Sequence, residues 1–276
     1  MNARTYNVIA IGAGPAGEVL AGRLADQGRQ VAIVESELVG AECSYFACMP
    51  SKALLRPAQA LAEPLRIPGA AEAVTGVLDV DAVLGRRDAI VGDLDDGGQL
   101  PWLESRGIEL IRGHGRLAGE RRVGVGDEVY EACAAVVIAV GSVAAVPPIP
   151  GLAEAAPWTT REITMARAIP RRLIVLGGGV VGVEMAEAFT SLGAEVVLLE
   201  AEQRLIPREE AFAAEELRQA LSERGVDVRL GVRAERADRV DSVVRAVQSD
   251  GSTVEGERPR ASWQRMNGGS HVAQPG

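Results

Sequence analysis

Two segments of the chain share one order of apolar and polar positions. Residues 7–35 read NVIAIGAGPAGEVLAGRLADQGRQVAIVE, and residues 172–200 read RLIVLGGGVVGVEMAEAFTSLGAEVVLLE. In each segment a short apolar strand leads into a glycine-rich turn, then a helix of small and apolar residues, a glycine stop and a second apolar strand that ends on glutamate. The pattern therefore predicts two similar strand-helix-strand units, one in each half of the chain.

The same reading predicts elements between these units. Residues 121–138 alternate as a hairpin with a polar turn near its middle. Pro50 suits the first turn of a helix, so we expect a helix that begins near Cys48 and has its body over residues 51–65. The crossing between two domains is expected at a cluster of prolines, Pro147, Pro148 and Pro150.

The two glycine-rich turns have the pattern of dinucleotide-binding folds. The first glycine allows a tight turn, the second lets the backbone approach a pyrophosphate, and the third lets the helix pack on the strand. The helix N-terminus then holds the phosphates, and the closing acid accepts hydrogen bonds from a ribose. The motif residues are Gly12, Gly14, Pro15, Ala16, Gly17 and the acid Glu35 in the first copy, and Gly177, Gly179, Gly182 and the acid Glu200 in the second.

Two dinucleotide sites in one chain imply two dinucleotides, and the chemical reason to hold both is to pass electrons between them. A flavin and a nicotinamide fit that role, so FAD and NAD are the expected cofactors. NADP is less favoured, because the carboxylate of Glu200 accepts both ribose hydroxyls and repels a 2′-phosphate.

Composition excludes several classes of function. The 276 residues are 47% hydrophobic and 24% charged, which is enough to build two ordinary domains. The formal net charge of -9 argues against a nucleic-acid partner. No apolar run approaches the roughly 20 residues needed to cross a bilayer, and the N-terminus lacks the features of a signal peptide. We therefore expect a soluble, cytoplasmic protein with no membrane partner.

Two of the three cysteines stand close together in GAECSYFACMPSK, residues 40–52. Positions i and i+5 of a straight helix rise about 7.5 Å and point apart, whereas a disulfide needs Cα atoms within about 7 Å. The chain between Cys43 and Cys48 is therefore expected to be irregular. Cys48 at a helix N-terminus would favour the thiolate. With no other Cys or His clustered nearby, a redox dithiol is a better interpretation than a metal site or a buried structural pair.

The order of these motifs resembles the class I pyridine nucleotide-disulfide oxidoreductases, which include dihydrolipoamide dehydrogenase, glutathione reductase and mercuric reductase. The CxxxxC followed by PSK is the most specific element. The resemblance implies an α/β fold of two Rossmann-like domains, with FAD bound by residues 1–150, NAD by residues 151–256, and an irregular tail at 257–276. It implies an enzyme that passes electrons from NAD(P)H through FAD to the dithiol and on to a small-molecule disulfide or related acceptor.

The resemblance also implies roles for single residues. In that family the second cysteine lies against the flavin and the first attacks the substrate, so Cys48 and Cys43 would take those roles. With flavin bound, Cys43 is expected to be the more accessible thiol. Lys52 would lie beside the flavin, and Glu184 would be its ion-pair partner. Further cofactor contacts are expected at Gly115, Ala139 and Gly141, the last two within IAVGS at residues 138–142.

The sequence departs from the family pattern in two ways. Relatives commonly carry Thr before the first cysteine and Asn-Val-Gly within the interval, where this chain has Glu42 and the aromatic residues Tyr45 and Phe46. An aromatic pair at these positions could reshape the substrate pocket, so the identity of the substrate stays open. Family members also continue into a second FAD segment and an interface domain that supplies a His-Glu base. His271 has no such context, so a truncated chain with an incomplete FAD domain and no homodimer interface is expected.

Two alternatives to the full reaction stay open at this stage. One is a non-catalytic remnant that binds flavin or nucleotide without turnover. The other is an NADH oxidase or transhydrogenase-like flavoprotein, which would use both nucleotide sites without needing the dithiol.

Overall fold

The computed structural model of the protein describes residues 4–257. The first part of the chain contains β1 (Arg4–Ile11), α1 (Pro15–Ala25), β2 (Val31–Glu35), α2 (Ala41–Tyr45), α3 (Cys48–Leu65), α4 (Val80–Ile90), α5 (Leu100–Ser105), β3 (Glu109–Arg112), β4 (Gly115–Gly119), β5 (Arg122–Val125) and β6 (Glu128–Ile138). The second part contains α6 (Leu152–Ala155), α7 (Thr160–Thr164), β7 (Arg172–Leu176), α8 (Val180–Ser191), β8 (Glu195–Glu200), α9 (Ala211–Glu223), β9 (Asp227–Leu230), β10 (Ala234–Val240), β11 (Val243–Gln248) and β12 (Thr253–Glu257).

The first sheet has six strands in the order β3-β2-β1-β6-β5-β4. Strands β3, β2, β1 and β6 run parallel, while β6, β5 and β4 form an antiparallel meander. All five residues of β2, VAIVE, are buried, as expected for a parallel strand with neighbours on both sides. The predicted hairpin is confirmed, because Val125 pairs with Glu128 across a turn at residues 126–127.

The second part of the chain holds two three-stranded sheets. Strands β7, β8 and β9 are parallel, and β10, β11 and β12 are antiparallel. The two sheets pack through a small cluster that includes Leu199, Ala246 and Val254. The parallel sheet with its helix α8 repeats the design of β1, α1 and β2. The α/β fold with two Rossmann-like units is therefore confirmed, while domain boundaries at residues 150 and 256 stay predictions.

Helix α3 belongs to the first part of the sequence but packs into the core of the second. Leu54 on α3 and Val83 on α4 share one buried cluster with Phe189 on α8 and Leu198 on β8. Leu54 is 1% exposed and Phe189 is fully buried. The apolar face of α3 therefore joins the two units into one structure.

Helix α3 begins at Cys48, as predicted, and continues through Pro57. A proline has no backbone N–H, so the carbonyl oxygen of Ala53, four residues earlier, loses its helical donor. The guanidinium of Arg86, on α4, donates to that carbonyl at 3.0 Å. The neighbouring helix thus satisfies the acceptor that the proline leaves open.

Among the described residues, none of the helices combines the length and the apolar composition that crossing a bilayer requires.

Candidate functional site

In the first glycine-rich turn, the fold requires glycine at two positions and leaves space for a side chain at a third. Gly12 has φ +105°, and a Cβ there would collide with the carbonyl of Ala139; a Cβ on Gly17 would collide with the carbonyl of Gly12. Gly14 has φ −77°, and a Cβ there would meet only the Cβ of Ala41, at an ordinary 3.4 Å. The protein itself therefore does not require glycine at position 14, which fits a backbone approached by a ligand.

The second glycine-rich turn shows the same difference between positions that require glycine and one that does not. Gly177 has φ +101°, and a Cβ on Gly182 would collide with the carbonyl of Gly177, whereas a Cβ on Gly179 would meet nothing within 4 Å. Helices α1 and α8 begin at these turns with Gly14 and Gly179 as N-caps, and neither cap has a side-chain hydrogen bond. Both helix N-termini thus offer free backbone N–H groups, the arrangement that binds phosphate.

The closing carboxylates are held in the same way in both copies. Glu35 accepts a hydrogen bond from the N–H of Ala13 at 2.8 Å. It accepts a second from the backbone N–H two residues after Glu35 itself, at 2.7 Å. Glu200 likewise accepts from the N–H of Gly178 at 2.6 Å and from the backbone N–H two residues after Glu200 itself, at 2.7 Å. Both side chains are buried. An ionised carboxylate has about four acceptor positions, so each keeps capacity for ribose hydroxyls.

The chain between the two cysteines is irregular, as predicted. Cys43 lies in α2 and Cys48 is the first residue of α3, with a break at Phe46 (φ −130°, ψ −6°) and Ala47 (φ −132°, ψ −90°). Both thiols are free, and the Cys48 thiol is close enough to contribute to the raised pKa of Cys43. The break is what brings positions i and i+5 together, which a continuous helix could not do.

The two thiols differ in exposure in the chain without flavin. Cys48 is exposed, whereas Cys43 is half-buried. Burial is the main reason that the pKa of Cys43 is raised to about 11, with smaller contributions from the Cys48 thiol and the Glu18 carboxylate that outweigh the lowering effect of Lys52. Without flavin the chain therefore exposes Cys48 more than Cys43. The expectation that Cys43 is the more accessible thiol applies to the flavin-bound protein, and it stays a prediction.

Lys52 and Glu184 form the ion pair that the family resemblance implies. The Lys52 ammonium lies 2.6 Å and 2.8 Å from the two carboxylate oxygens of Glu184. The pair joins α3, which begins with Cys48, to α8, which begins at the second glycine turn. The ion pair thus connects the dithiol to the second glycine turn. The first glycine turn contacts the cysteine segment through the N–H of Gly40, which donates to the carbonyl of Ala13 at 2.8 Å.

The remaining predicted cofactor residues of the first site lie close to its glycine turn. The N–H of Ala139 donates to the carbonyl of Ile11 at 2.8 Å, so residues 139–141 lie beside Gly12. A Cβ on Gly115 would stand 2.9 Å from Ile11 and 3.0 Å from Val34, so packing accounts for that glycine. These positions gather at the carboxyl ends of β1 and β2, where open α/β sheets bind ligands.

A cleft of about 320 Å³ lies beside the second glycine turn. Its lining includes Gly177, Glu200 and Arg233, together with apolar residues of the linker that precedes α6. Glu200 and Arg233 are the charged residues of this lining. In the part of the chain that the structure describes, no three His, Cys, Asp or Glu side chains gather as a metal site would require.

The aromatic residues between the cysteines do not line a common pocket. Tyr45 is 3% exposed, and its hydroxyl points to the carbonyl of Asp95 at 3.5 Å. The ring of Phe46 lies under the guanidinium of Arg161, 4.4 Å from the ring centroid. Tyr45 thus anchors α2 to the interior, and an effect of the two aromatic residues on a substrate pocket stays a prediction. Sequence reasoning missed Arg161, since no motif marks a contact this far along the chain.

Comparison with known proteins places these features in a family. A family model described as pyridine nucleotide-disulphide oxidoreductase matches residues 6–259. The chain is 36% identical over 233 residues to the dihydrolipoyl dehydrogenase of Thermus scotoductus, covering 84% of this chain and 50% of that protein. It is 32% identical over 244 residues to the mercuric reductase of Shigella flexneri, covering 86% of this chain and 43% of that protein.

The chain is also similar to a solved structure. The HOCl-induced flavoprotein disulfide reductase RclA from Escherichia coli superposes with a TM-score of 0.77 at 26% identity, over 91% of this chain and 55% of that one. The chain thus spans about half the length of these relatives.

Proposed function

Because the chain belongs to the pyridine nucleotide-disulphide oxidoreductases, we propose that it passes electrons from a reduced nicotinamide through bound FAD to the Cys43–Cys48 dithiol, and from there to a disulfide-type substrate. NADH is the proposed donor, ahead of NADPH.

One observation carries this proposal. The ion pair of Lys52 with Glu184, at 2.6 Å, connects the helix that begins with Cys48 to the helix that begins at the second glycine turn. Two nucleotide-type turns and a dithiol within one connected region are what electron transfer between two dinucleotides and a thiol pair requires.

The residues present fit both cofactors. For FAD, the open position at Gly14, the uncapped N-terminus of α1 and the carboxylate of Glu35 would hold the pyrophosphate and ribose. For the nicotinamide nucleotide, Gly179 and Glu200 would do the same beside the cleft. When bound, the flavin supplies a two-electron relay between the nicotinamide and the dithiol.

The dithiol itself would perform the exchange with the substrate. The Cys43 thiolate attacks one sulfur of a substrate disulfide, forming a mixed disulfide and releasing one substrate thiol. The Cys48 thiolate then attacks the Cys43 sulfur, which forms the Cys43–Cys48 disulfide and releases the second thiol. The substrate has gained two electrons and two protons, and the nicotinamide donor restores the dithiol.

A titration of the purified 276-residue chain with FAD, followed by anaerobic addition of NADH, tests the proposal. We expect a bound flavin band that NADH bleaches, and loss of disulfide reductase activity in both Cys43→Ser and Cys48→Ser. A chain that retains no flavin at saturating FAD would contradict the proposal and favour a remnant that binds nucleotide alone. NADH oxidation at equal rates in the wild type and in Cys43→Ser would favour the oxidase alternative.

A further inference from the structure

A short helix from the second part of the chain holds the segment that carries the two cysteines. The Arg161 guanidinium, on α7, donates to the carboxylate of Glu42 and, at 2.7 Å, to that of Glu37. It also covers the ring of Phe46 at 4.4 Å. At the other end of α7, the Thr164 hydroxyl lies 2.9 Å from the carbonyl oxygen of Phe46.

These contacts fall on both sides of Cys43. Glu42 immediately precedes it, and Phe46 lies in the break between α2 and α3, two residues before Cys48. The break has no side-chain cap of its own, since Ala47 is the N-cap of α3 and makes no side-chain hydrogen bond. The contacts from α7 are therefore contacts to the turn that sets the separation of the two sulfur atoms.

Helix α7 is itself firmly anchored. A capping box between Thr159 and Glu162 closes its N-terminus. Arg87, which is fully buried, donates to the carbonyls of Thr164 and Ala166 at its C-terminus, at 2.5 Å to 3.1 Å. A helix fixed at both ends holds the backbone of Arg161 in place. Its guanidinium meets two carboxylates, so these contacts form a small network rather than an isolated surface ion pair.

Arg161 also neutralises two negative charges beside the cysteines. Glu37 and Glu42 both face one guanidinium, whose side chain is 41% exposed. Lys52 is committed to Glu184. Without Arg161 the two carboxylates would repel one another beside the segment that carries the cysteines, and the ring of Phe46 would lose its cover.

We infer that Arg161 is a positioning residue for the Cys43–Cys48 couple: it holds the break in the conformation that keeps the two sulfur atoms adjacent. The inference rests on the proposed use of this dithiol in electron transfer. Adjacent thiols have a high effective concentration toward one another, so the positioned couple forms its disulfide more readily. Removing Arg161 should make that disulfide easier to reduce.

Equilibration of the full chain with reduced and oxidised glutathione tests this inference without any cofactor. In that exchange the two thiols form one intramolecular disulfide while one oxidised glutathione becomes two reduced molecules. The fraction oxidised is measured by mass after alkylation, in a Cys133→Ser background so that the third cysteine cannot form mixed products. This measurement needs no flavin. Its result can therefore be interpreted even if the chain does not bind FAD or reduce a disulfide substrate.

We expect Arg161→Met to lower the equilibrium constant for disulfide formation about tenfold, equivalent to about 30 mV for a two-electron couple. Arg161→Lys should recover part of the loss, because it restores the charge but not the planar fork. The matched control is Arg172→Met, which removes an ion pair of similar exposure, with Glu195, far from the cysteines. It should leave the constant unchanged.

An unchanged constant in a cooperatively melting Arg161→Met variant would overturn the inference. Should that variant fail to fold, Glu42→Ala removes the contact with Arg161 from the other side and leaves α7 intact. Glu42→Ala must then lower the constant in the same direction, and a value equal to that of the wild type would overturn the inference equally.

Discussion

Glu200 illustrates how a single carboxylate can shape a turn and select a ligand. Two backbone N–H groups hold its oxygens at 2.6 Å and 2.7 Å, so its position is fixed before any nucleotide arrives. Arg204, a residue that could favour a 2′-phosphate, donates instead to the carbonyl of Pro207 at 2.6 Å. Arg233 lines the cleft together with Glu200, so the Glu200 carboxylate is fixed in position but does not face the cleft alone.

The first prediction follows from that charge. The wild-type chain should bind NADH at least about tenfold more tightly than NADPH, because a fixed carboxylate repels the 2′-phosphate. Glu200→Gln should narrow this difference. Fluorescence titration with both nucleotides measures it, with Glu195→Gln on the exposed start of the same strand as the control. Tighter binding of NADPH by the wild type would contradict the prediction.

The second prediction concerns the pH dependence of the two thiols. The pKa of Cys43 is raised from 9.0 to about 11, chiefly by burial. Iodoacetamide should therefore label Cys43 in Cys48→Ser at least about tenfold more slowly at pH 8 than the exposed Cys48 in Cys43→Ser. The reason is that Cys43 is less exposed and its raised pKa leaves little of the reactive thiolate. The rate for Cys43 should continue to rise above pH 9.

The same shift affects the stability of the fold. A thiol whose pKa is higher in the folded than in the unfolded chain stabilises the fold fully below pH 9.0, and this contribution is lost as the pH rises toward about 11. Urea midpoints for the wild type should fall across this range more than those for Cys43→Ser. Equal labelling rates for the two thiols, or parallel urea midpoints, would contradict the assignment of the shift to Cys43.

Single residues also show which contacts could be predicted from the sequence and which could not. Glycine and glutamate positions in both turns follow from local chemistry that repeats along the chain, and the pairing of Lys52 with Glu184 followed from family resemblance. Arg161 could not be found in either way. Its partner Glu42 lies 119 positions earlier, and the contact depends on how α7 packs, which no local pattern encodes.

At the scale of elements, the two glycine turns offer a test that separates folding from binding. The third prediction is that Gly182→Ala destabilises the chain by about 1–3 kcal/mol, because the new Cβ collides with the carbonyl of Gly177. Gly179→Ala should keep the stability of the wild type, because a Cβ there meets nothing within 4 Å. It should nevertheless weaken nucleotide binding, because the methyl group occupies the approach of the pyrophosphate.

Chemical denaturation and nucleotide titration of both variants check this prediction. Undiminished binding by a folded Gly179→Ala variant would show that the second turn does not approach a ligand. The first turn offers the same pair of positions, Gly17 and Gly14, as an independent repeat of the experiment.

The elements themselves were predictable to different degrees. The start of α3 at Cys48 followed from the proline two residues later, and the hairpin of β5 and β6 from its alternation and polar turn. Helix α2 was not foreseen, because five residues carry too little periodicity to indicate a helix. The sheet of β10, β11 and β12 was also missed; its strands are rich in arginine and acidic residues, and only one side packs on a core.

At the scale of the whole molecule, one buried cluster joins residues from both parts of the chain. The fourth prediction is that Leu54→Ala lowers the free energy of unfolding by about 2–5 kcal/mol, because it leaves a cavity against Phe189 and its neighbours. Leu65→Ala, at the half-exposed end of the same helix, is the matched control and should change little.

Urea denaturation followed by circular dichroism measures both variants. Because α3 is shared, the loss should shift a single cooperative transition. Two separate transitions, of which only one moves in Leu54→Ala, would show that the two units unfold independently.

The sharing of α3 also has a consequence for the synthesis of the protein. A ribosome adding about 5–20 residues per second completes α3 on the order of ten seconds before it adds the α8 residues against which α3 packs. During that interval the N-terminal strands can pair, but Leu54 and Leu55 have no partner surface from the second unit. We therefore expect the nascent chain to present this helix to chaperones that bind exposed apolar segments, until α8 emerges and covers it.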